Sequence, residues 1–128
     1  PTTLTTLAQM KKKLADLPAE QQPRVLLVTV DPERDTPAIL KPYVTFFDPS
    51  FLGATGTLAG TGQAASAFSI PFAKVPLPGG GYTMDHGAGL FMVSPRGALA
   101  AYSSPPLDAT VLARDFRKVV QYFEASHR

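Results

Sequence analysis

An α/β fold with a mixed sheet is predicted for this chain of 128 residues by three observations. Helix-period and strand-like apolar segments alternate through the first half. Short strand segments joined by turn residues follow. A long amphipathic segment then closes the chain. Helix–strand alternation, then an antiparallel pair and a closing helix, implies helices packed on a mixed sheet. The length suits one domain over residues 1–128, and no internal repeat or low-complexity tract is present.

The elements follow in order. Leu4, Leu7, Met10, Leu14 and Leu17 recur at three- and four-residue intervals, which predicts a helix over 3–17 closed by Pro18. RVLLVTV, residues 24–30, is a continuous β-branched run without alternation, as expected of a parallel strand buried on both faces. DPERDTP, residues 31–37, is a loop; Thr36 or Asp35 is placed to cap the next helix, with Pro37 at its first position. That helix runs from Pro37 to about Phe47 with Ile39, Leu40, Tyr43, Val44 and Phe47 as its apolar face. Pro42 inside it removes one backbone donor, at up to about 3 kcal/mol, so a kink is expected. FLGATG, 51–56, is a short strand, and 57–69 a weak helix weakened by Gly60 and Gly62. PFAKV and GYTM flank PLPGG as a hairpin. Leu90–Val93 and Ala98–Tyr102 form a second one through the turn SPRG. Asp108 caps the last helix, whose buried side is expected to carry Val111, Leu112, Phe116, Val119, Val120 and Phe123. One feature is out of place. The first helix has no strand feeding it, although a parallel βαβ unit needs one.

Composition narrows the function classes. The net charge is only +2, and Lys11-Lys12-Lys13 is the one basic cluster, so no nucleic-acid partner is expected; the lysines suit a solvated helix face. No window approaches the ~18 uninterrupted apolar residues of a membrane helix. No charged and apolar leader opens the chain, so no signal peptide is expected. The cysteine count is zero, which removes disulfides, thiol chemistry and cysteine ligands from these residues. GxSxG, P-loop, HExxH and GxGxxG signatures are all missing, so no catalytic residue is assigned.

The stretch YTMDHGAGLFMVSPRG, 82–97, holds one of the two histidines. His86 lies behind a carboxylate and before two glycines, at the mouth of an apolar run. That position suits a ligand or a proton carrier, provided partners exist. Asp85 is placed either to orient the imidazole or, more simply, to cap a turn. Asp31 and Asp35 suit loop-shaping Asx and cap chemistry, with Arg34 pairing them, or else an acidic patch near the site that contacts a partner. Met92 is expected in the core and Met84 on a loop near His86. Phe46, Phe47 and Phe51 are expected in the core and at a strand entry. Ser94, His86 and Asp85 do not suggest a triad, because neighbouring Asp85 and His86 point apart. His127, one residue from the C-terminus, is not taken as a ligand.

Three segments together resemble the SCO1/SenC family of copper-handling proteins: PTTL at 1–4, VTVDPERDTPAILKPYVTFFDPSFLGATG at 28–56, and YTMDHGAGLFMVSPRG. VDPERDTP is the most specific string. The resemblance covers nearly the whole chain and implies a thioredoxin-like mixed sheet flanked by helices, missing its N-terminal strands. In the family PTTL follows the second cysteine of a Cys-x-x-x-Cys motif. Those cysteines would lie upstream of Pro1, and the chain is expected to be N-terminally incomplete. Pro42 and Gly87 depart from the family pattern, where a good helix former and a hydroxyl residue are usual.

The resemblance implies that His86 is a metal ligand, joining two thiolates to hold copper as Cu(I) or Cu(II). Without the cysteines, residues 1–128 are expected to bind none. The implied role is a copper chaperone for the CuA site of cytochrome c oxidase, with oxidase subunit II as partner. The implied location is the bacterial periplasm, or the mitochondrial intermembrane space, with the membrane tether outside this chain. Two other classes stay open. One is a thiol-disulfide reductase or peroxidase of the thioredoxin superfamily, which needs a cysteine from upstream. The other is a cysteine-free partner-binding module.

Overall fold

The computed structural model describes residues 2–29, 31, 33–57, 60, 72–76, 78–79, 82–86 and 89–126, with 2, 72–76, 82–86 and 126 described by their backbone alone. The elements in chain order are α1 (Thr2–Lys13), a 3₁₀ turn (Ala19–Gln21), β1 (Leu26–Val28), α2 (Pro37–Phe47), β2 (Leu52–Ala54), β3 (Phe72–Pro76), β4 (Tyr82–His86), β5 (Leu90–Val93), β6 (Leu99–Ser103) and α3 (Ala109–Ser126). They form two compact units, residues 1–23 with 88–128, and residues 24–87. The helix expected over 57–69 falls almost wholly outside the described residues. Thr57 Oγ1 does accept the Gly60 N–H at 2.9 Å, the bond of a helix N-cap.

In the first unit α1 packs on α3. Leu4, Leu7, Met10 and Leu14 of the α1 segment are buried, as are Ala109, Leu112 and Ala113 of α3. Each buried leucine contributes roughly 1.5–3 kcal/mol. The α3 stripe 109, 112, 113, 116 has helical spacing. Val111 lies off it and is exposed, against expectation, while Phe116, Val119, Val120 and Phe123 are half-buried. The expected cap is present: Asp108 Oδ1 accepts the Val111 N–H at 2.9 Å.

Helix α1 stops at Lys13, four residues before its apolar period ends. Two side chains, distant Arg117 and nearby Gln22, take carbonyls at and just past its end. Arg117 donates to Lys13 O at 3.0 Å, and Gln22 Nε2 donates to Leu14 O at 2.7 Å and to Leu17 O at 2.9 Å. The backbone tightens into i→i−3 bonds, Leu14 N–H to Lys11 O and Leu17 N–H to Leu14 O, both 3.1 Å. Strands β5 and β6 pair antiparallel, Leu90 opposite Ser103 and Phe91 opposite Tyr102, with an irregularity at Met92/Val93. The turn between them is the expected one. Gly97 N–H bonds Ser94 O at 2.9 Å, and the Ser94 hydroxyl accepts the Ala98 N–H at 3.2 Å.

In the second unit β1 and β2 pair in parallel, Leu26 opposite Leu52 and Val28 opposite Ala54. Helix α2 lies on this ribbon. Leu40 packs so closely on Gly53 that a Cβ there would sit 3.1 Å from the Leu40 Cβ. Leu40, Val44 and Phe51 are buried, but Ile39 and Tyr43 are exposed, Phe47 is only half-buried, and Phe46 is 83% exposed. The wide apolar face read from the sequence is therefore covered along one row only. Burial of β1 on both faces fails in the same way: Leu26 and Val28 are 57% and 48% exposed, while Val25 and Thr29 are buried. α2 covers a single face of a two-stranded ribbon, and a continuous apolar run does not say how many faces find a cover. α2 continues unbroken through Pro42, with the Thr45 hydroxyl donating to Lys41 O at 2.7 Å.

Candidate metal centre

His86 is the last residue of β4. It pairs opposite Phe72, with Asp85 opposite Ala73, Met84 opposite Lys74, and Tyr82 opposite Pro76. The sequence reading put His86 and Met84 on a loop before β5. The ladder instead takes in both, because all five residues of β3 find partners before the chain reaches Gly87 and Ala88. His86 thus stands at a strand terminus, four positions ahead of β5. Entry into β5 is fixed by a close approach: a Cβ on Gly89 would lie 2.5 Å from the Tyr102 ring, so no side chain fits there as packed. Tyr102 in turn leans on Phe91, ring centroids 5.0 Å apart. Met92 is half-buried in β5, and Ser94 is committed to the β5–β6 turn. His127 lies outside the described residues.

The acidic loop between β1 and α2 is closed on itself. Buried Thr29 organises it: its hydroxyl accepts the Asp31 N–H at 2.9 Å and donates to Asp35 Oδ2 at 2.5 Å. Asp35 N–H bonds Asp31 O at 2.9 Å, and Arg34 Nε donates to the buried Asp31 carboxylate. Both carboxylates thus tie the loop together, but through side chains, Arg34 for Asp31 and Thr29 for Asp35, where the sequence suggested Asx bonds to backbone and Arg34 for both acids. The helix cap is different. Thr36 occupies the N-cap position but makes no side-chain cap bond, and the Asp35 carboxylate is held by Thr29. Only the Thr36 carbonyl serves, accepting from Ile39 and Leu40. Thr29 was missed in the sequence. Its signal was a hydroxyl residue at the end of a β-branched run, two before an aspartate, the spacing of a hydroxyl-to-backbone turn. Among the described residues no group of three His, Cys, Asp or Glu side chains gathers as a metal cage would.

The SCO1/SenC family model matches residues 1–121. The chain belongs to the SCO1/SenC family. Among its relatives is a Stutzerimonas stutzeri protein named "Putative copper-binding protein", 35% identical over 112 residues, covering 86% of this chain and 55% of that protein. Mitochondrial SCO1 of Saccharomyces cerevisiae is 39% identical over 74 residues, 56% of this chain and 25% of that one. The chain thus spans about half or less of the length of these relatives. The solved structure of yeast Sco1 with copper bound superposes with a TM-score of 0.82 at 28% identity, covering 94% of this chain and 67% of that one. The fold of this SCO1/SenC chain is accordingly the thioredoxin-like α/β fold. Its relatives include bacterial and mitochondrial proteins. No helix among the described residues is long and apolar enough to cross a membrane.

Proposed function

We propose that this SCO1/SenC chain serves in copper delivery to the CuA site of cytochrome c oxidase, with His86 as one ligand of the metal it carries. The observation behind this is the family match across residues 1–121 together with His86 at the end of β4. Ligand sites of open α/β sheets gather at strand ends. Imidazole suits both copper oxidation states, and thiolate suits Cu(I). The donors within residues 1–128 do not complete such a site, because cysteine is missing from them. The thiolates of the proposed site therefore come from outside these residues. The proposed client is oxidase subunit II, and the proposed setting is the periplasm.

A Cu(I) competition titration against a chromophoric chelator tests this reading. It compares residues 1–128, the same chain extended upstream through its coding sequence, and the extended chain with His86→Ala. The expected result is tight binding of one copper by the extended chain, lost on His86→Ala, and no competition by residues 1–128. An extended chain that ignores copper, or holds it equally without His86, overturns the reading. A thiol-disulfide reductase would then take its place.

A further inference from the structure

Beside the end of α1, helix α3 of the first unit carries a shallow, open surface groove that the copper reading leaves unused. Four of its lining side chains are cations, Lys13 from the end of α1 and Arg114, Arg117 and Lys118 from α3, and among the described residues no carboxylate lines it. Its small walls, Thr110 and Ala113, leave a trough. Helix-end electrostatics account for part of this: Lys11, Lys12 and Lys13 sit in the last turn of α1, where the dipole favours cations. They do not account for α3. Arg114 and Lys118 are like charges four residues apart in the middle of a helix, an arrangement that weakens it. The fold then brings Lys13 to the same place.

Two of the four charges are answered. Arg117 is held by Asp16 through two hydrogen bonds of 3.0 and 2.6 Å, and Arg114 reaches its neighbour Asp115 at 3.2 Å. Lys13 and Lys118 are exposed and have no ion-pair partner among the described residues.

We propose that this groove docks an acidic segment of a partner protein, laid along α3 with its carboxylates against Lys13, Arg114 and Lys118. The lining runs from Thr110 to Gln121, about 16 Å of helix at 1.5 Å per residue, so it suits an extended ligand with several charges. An anionic membrane is the other polyanion such charge attracts. The lining argues against it, because among the described residues its only hydrocarbon side chain is Ala113, and a face seated in lipid needs larger apolar groups beside its lysines. The proposal does not depend on copper.

The test is fluorescence anisotropy of a fluorescein-labelled poly-glutamate peptide titrated with the chain at low salt. Three proteins are compared: the parent, Lys13→Glu with Lys118→Glu, and Arg24→Glu with Lys41→Glu. The last pair changes net charge equally at exposed positions outside the groove. The groove variant should bind at least about tenfold more weakly than the parent, since it places like charges against the ligand. The control should stay much closer to the parent. Lys13→Gln with Lys118→Gln, folded by circular dichroism, should show an intermediate loss. No peptide binding, or an equal loss in control and groove variants, overturns the proposal. So does co-sedimentation with phosphatidylglycerol vesicles that is stronger than peptide binding and lost in the groove variant, which would make the groove a membrane face.

Discussion

The α1–α3 pair and the β1–α2–β2 motif start from similar apolar content and bury it very differently. Along α1, Leu4, Leu7, Met10 and Leu14 are all buried, because one long helix faces another and the whole stripe meets a partner. Along α2, Ile39, Leu40, Tyr43, Val44, Phe46 and Phe47 are equally apolar, yet only Leu40 and Val44 are buried. A narrow parallel ribbon covers one row of a helix. The remaining rings stack on one another at the surface, Tyr43 on Phe47 at 5.6 Å and Phe46 on Phe47 at 5.3 Å, both edge-on. What a helix buries is thus set by the width of its partner as much as by its own pattern.

The sharpest way to break this contrast is to remove the same ring from two places. Phe51→Ala empties a buried position at the entry to β2 and should cost about 3–5 kcal/mol of unfolding free energy. Phe46→Ala, on the same helix–ribbon motif but exposed, should stay within about 0.5 kcal/mol. The first unit offers the matching pair: about 2–5 kcal/mol for Leu112→Ala and well under 1 for Val111→Ala. Urea unfolding followed by circular dichroism measures all four. A large loss for Phe46→Ala would mean that the outer face of α2 is covered in solution, and the contrast would fall.

A smaller effect separates the ways the two units use polar groups. In the second unit Thr29 holds the loop after β1 together. Thr29→Val keeps its shape but removes the hydroxyl that accepts from the Asp31 N–H and donates to the Asp35 carboxylate. Losing bonds of this kind costs about 1–3 kcal/mol. Amide exchange should quicken at Asp31 and Asp35 and stay unchanged in α1. Protection that survives at Asp35 would show that the backbone bond from Asp35 N–H to Asp31 O holds the loop alone.

These contrasts also mark how far the sequence could be read. Local rules located most elements: the stripe of α1, the Asp108 cap, Pro37 at the start of α2, the SPRG turn, and both hairpins. Features made by distant residues escaped. The end of α1 depends on Gln22 and on Arg117, about a hundred positions away, and neither has a local signature. The exposed face of β1 depends on what covers the ribbon, which a continuous apolar run does not specify. The candidate site divides along the same line. Asp85-His86 before an apolar strand was visible, but the length of the β3–β4 ladder, which puts His86 on a strand rather than a loop, is a matter of pairing. The thiolate half of the proposed site could not be read from residues that contain no cysteine.

The smallest effect contrasts two ion pairs, one in each unit. Arg117 and Asp16 clamp α3 to the end of α1 in the open, with the Asp16 side chain 66% exposed, whereas Arg34 meets an Asp31 side chain only 10% exposed. The hydrogen bonds from Arg117 hold the Asp16 carboxyl below its ordinary range. A carboxylate depressed in the folded state stabilises it above the unfolded value, and that contribution is lost as pH falls through the folded one. At neutral pH and low salt, Asp16→Asn should therefore lower the urea midpoint slightly. The gap to the parent should close as pH drops through the acid carboxylate range. The matching rise at Arg117 lies above any working pH and adds nothing there. Added salt should also close the gap, because exposed charges are screened. Asp31→Asn should behave otherwise, keeping its loss of stability at high salt, since a buried carboxylate is shielded from counterions. Equal salt dependence for the two variants would show that the loop after β1 is as open to water as the clamp between α1 and α3.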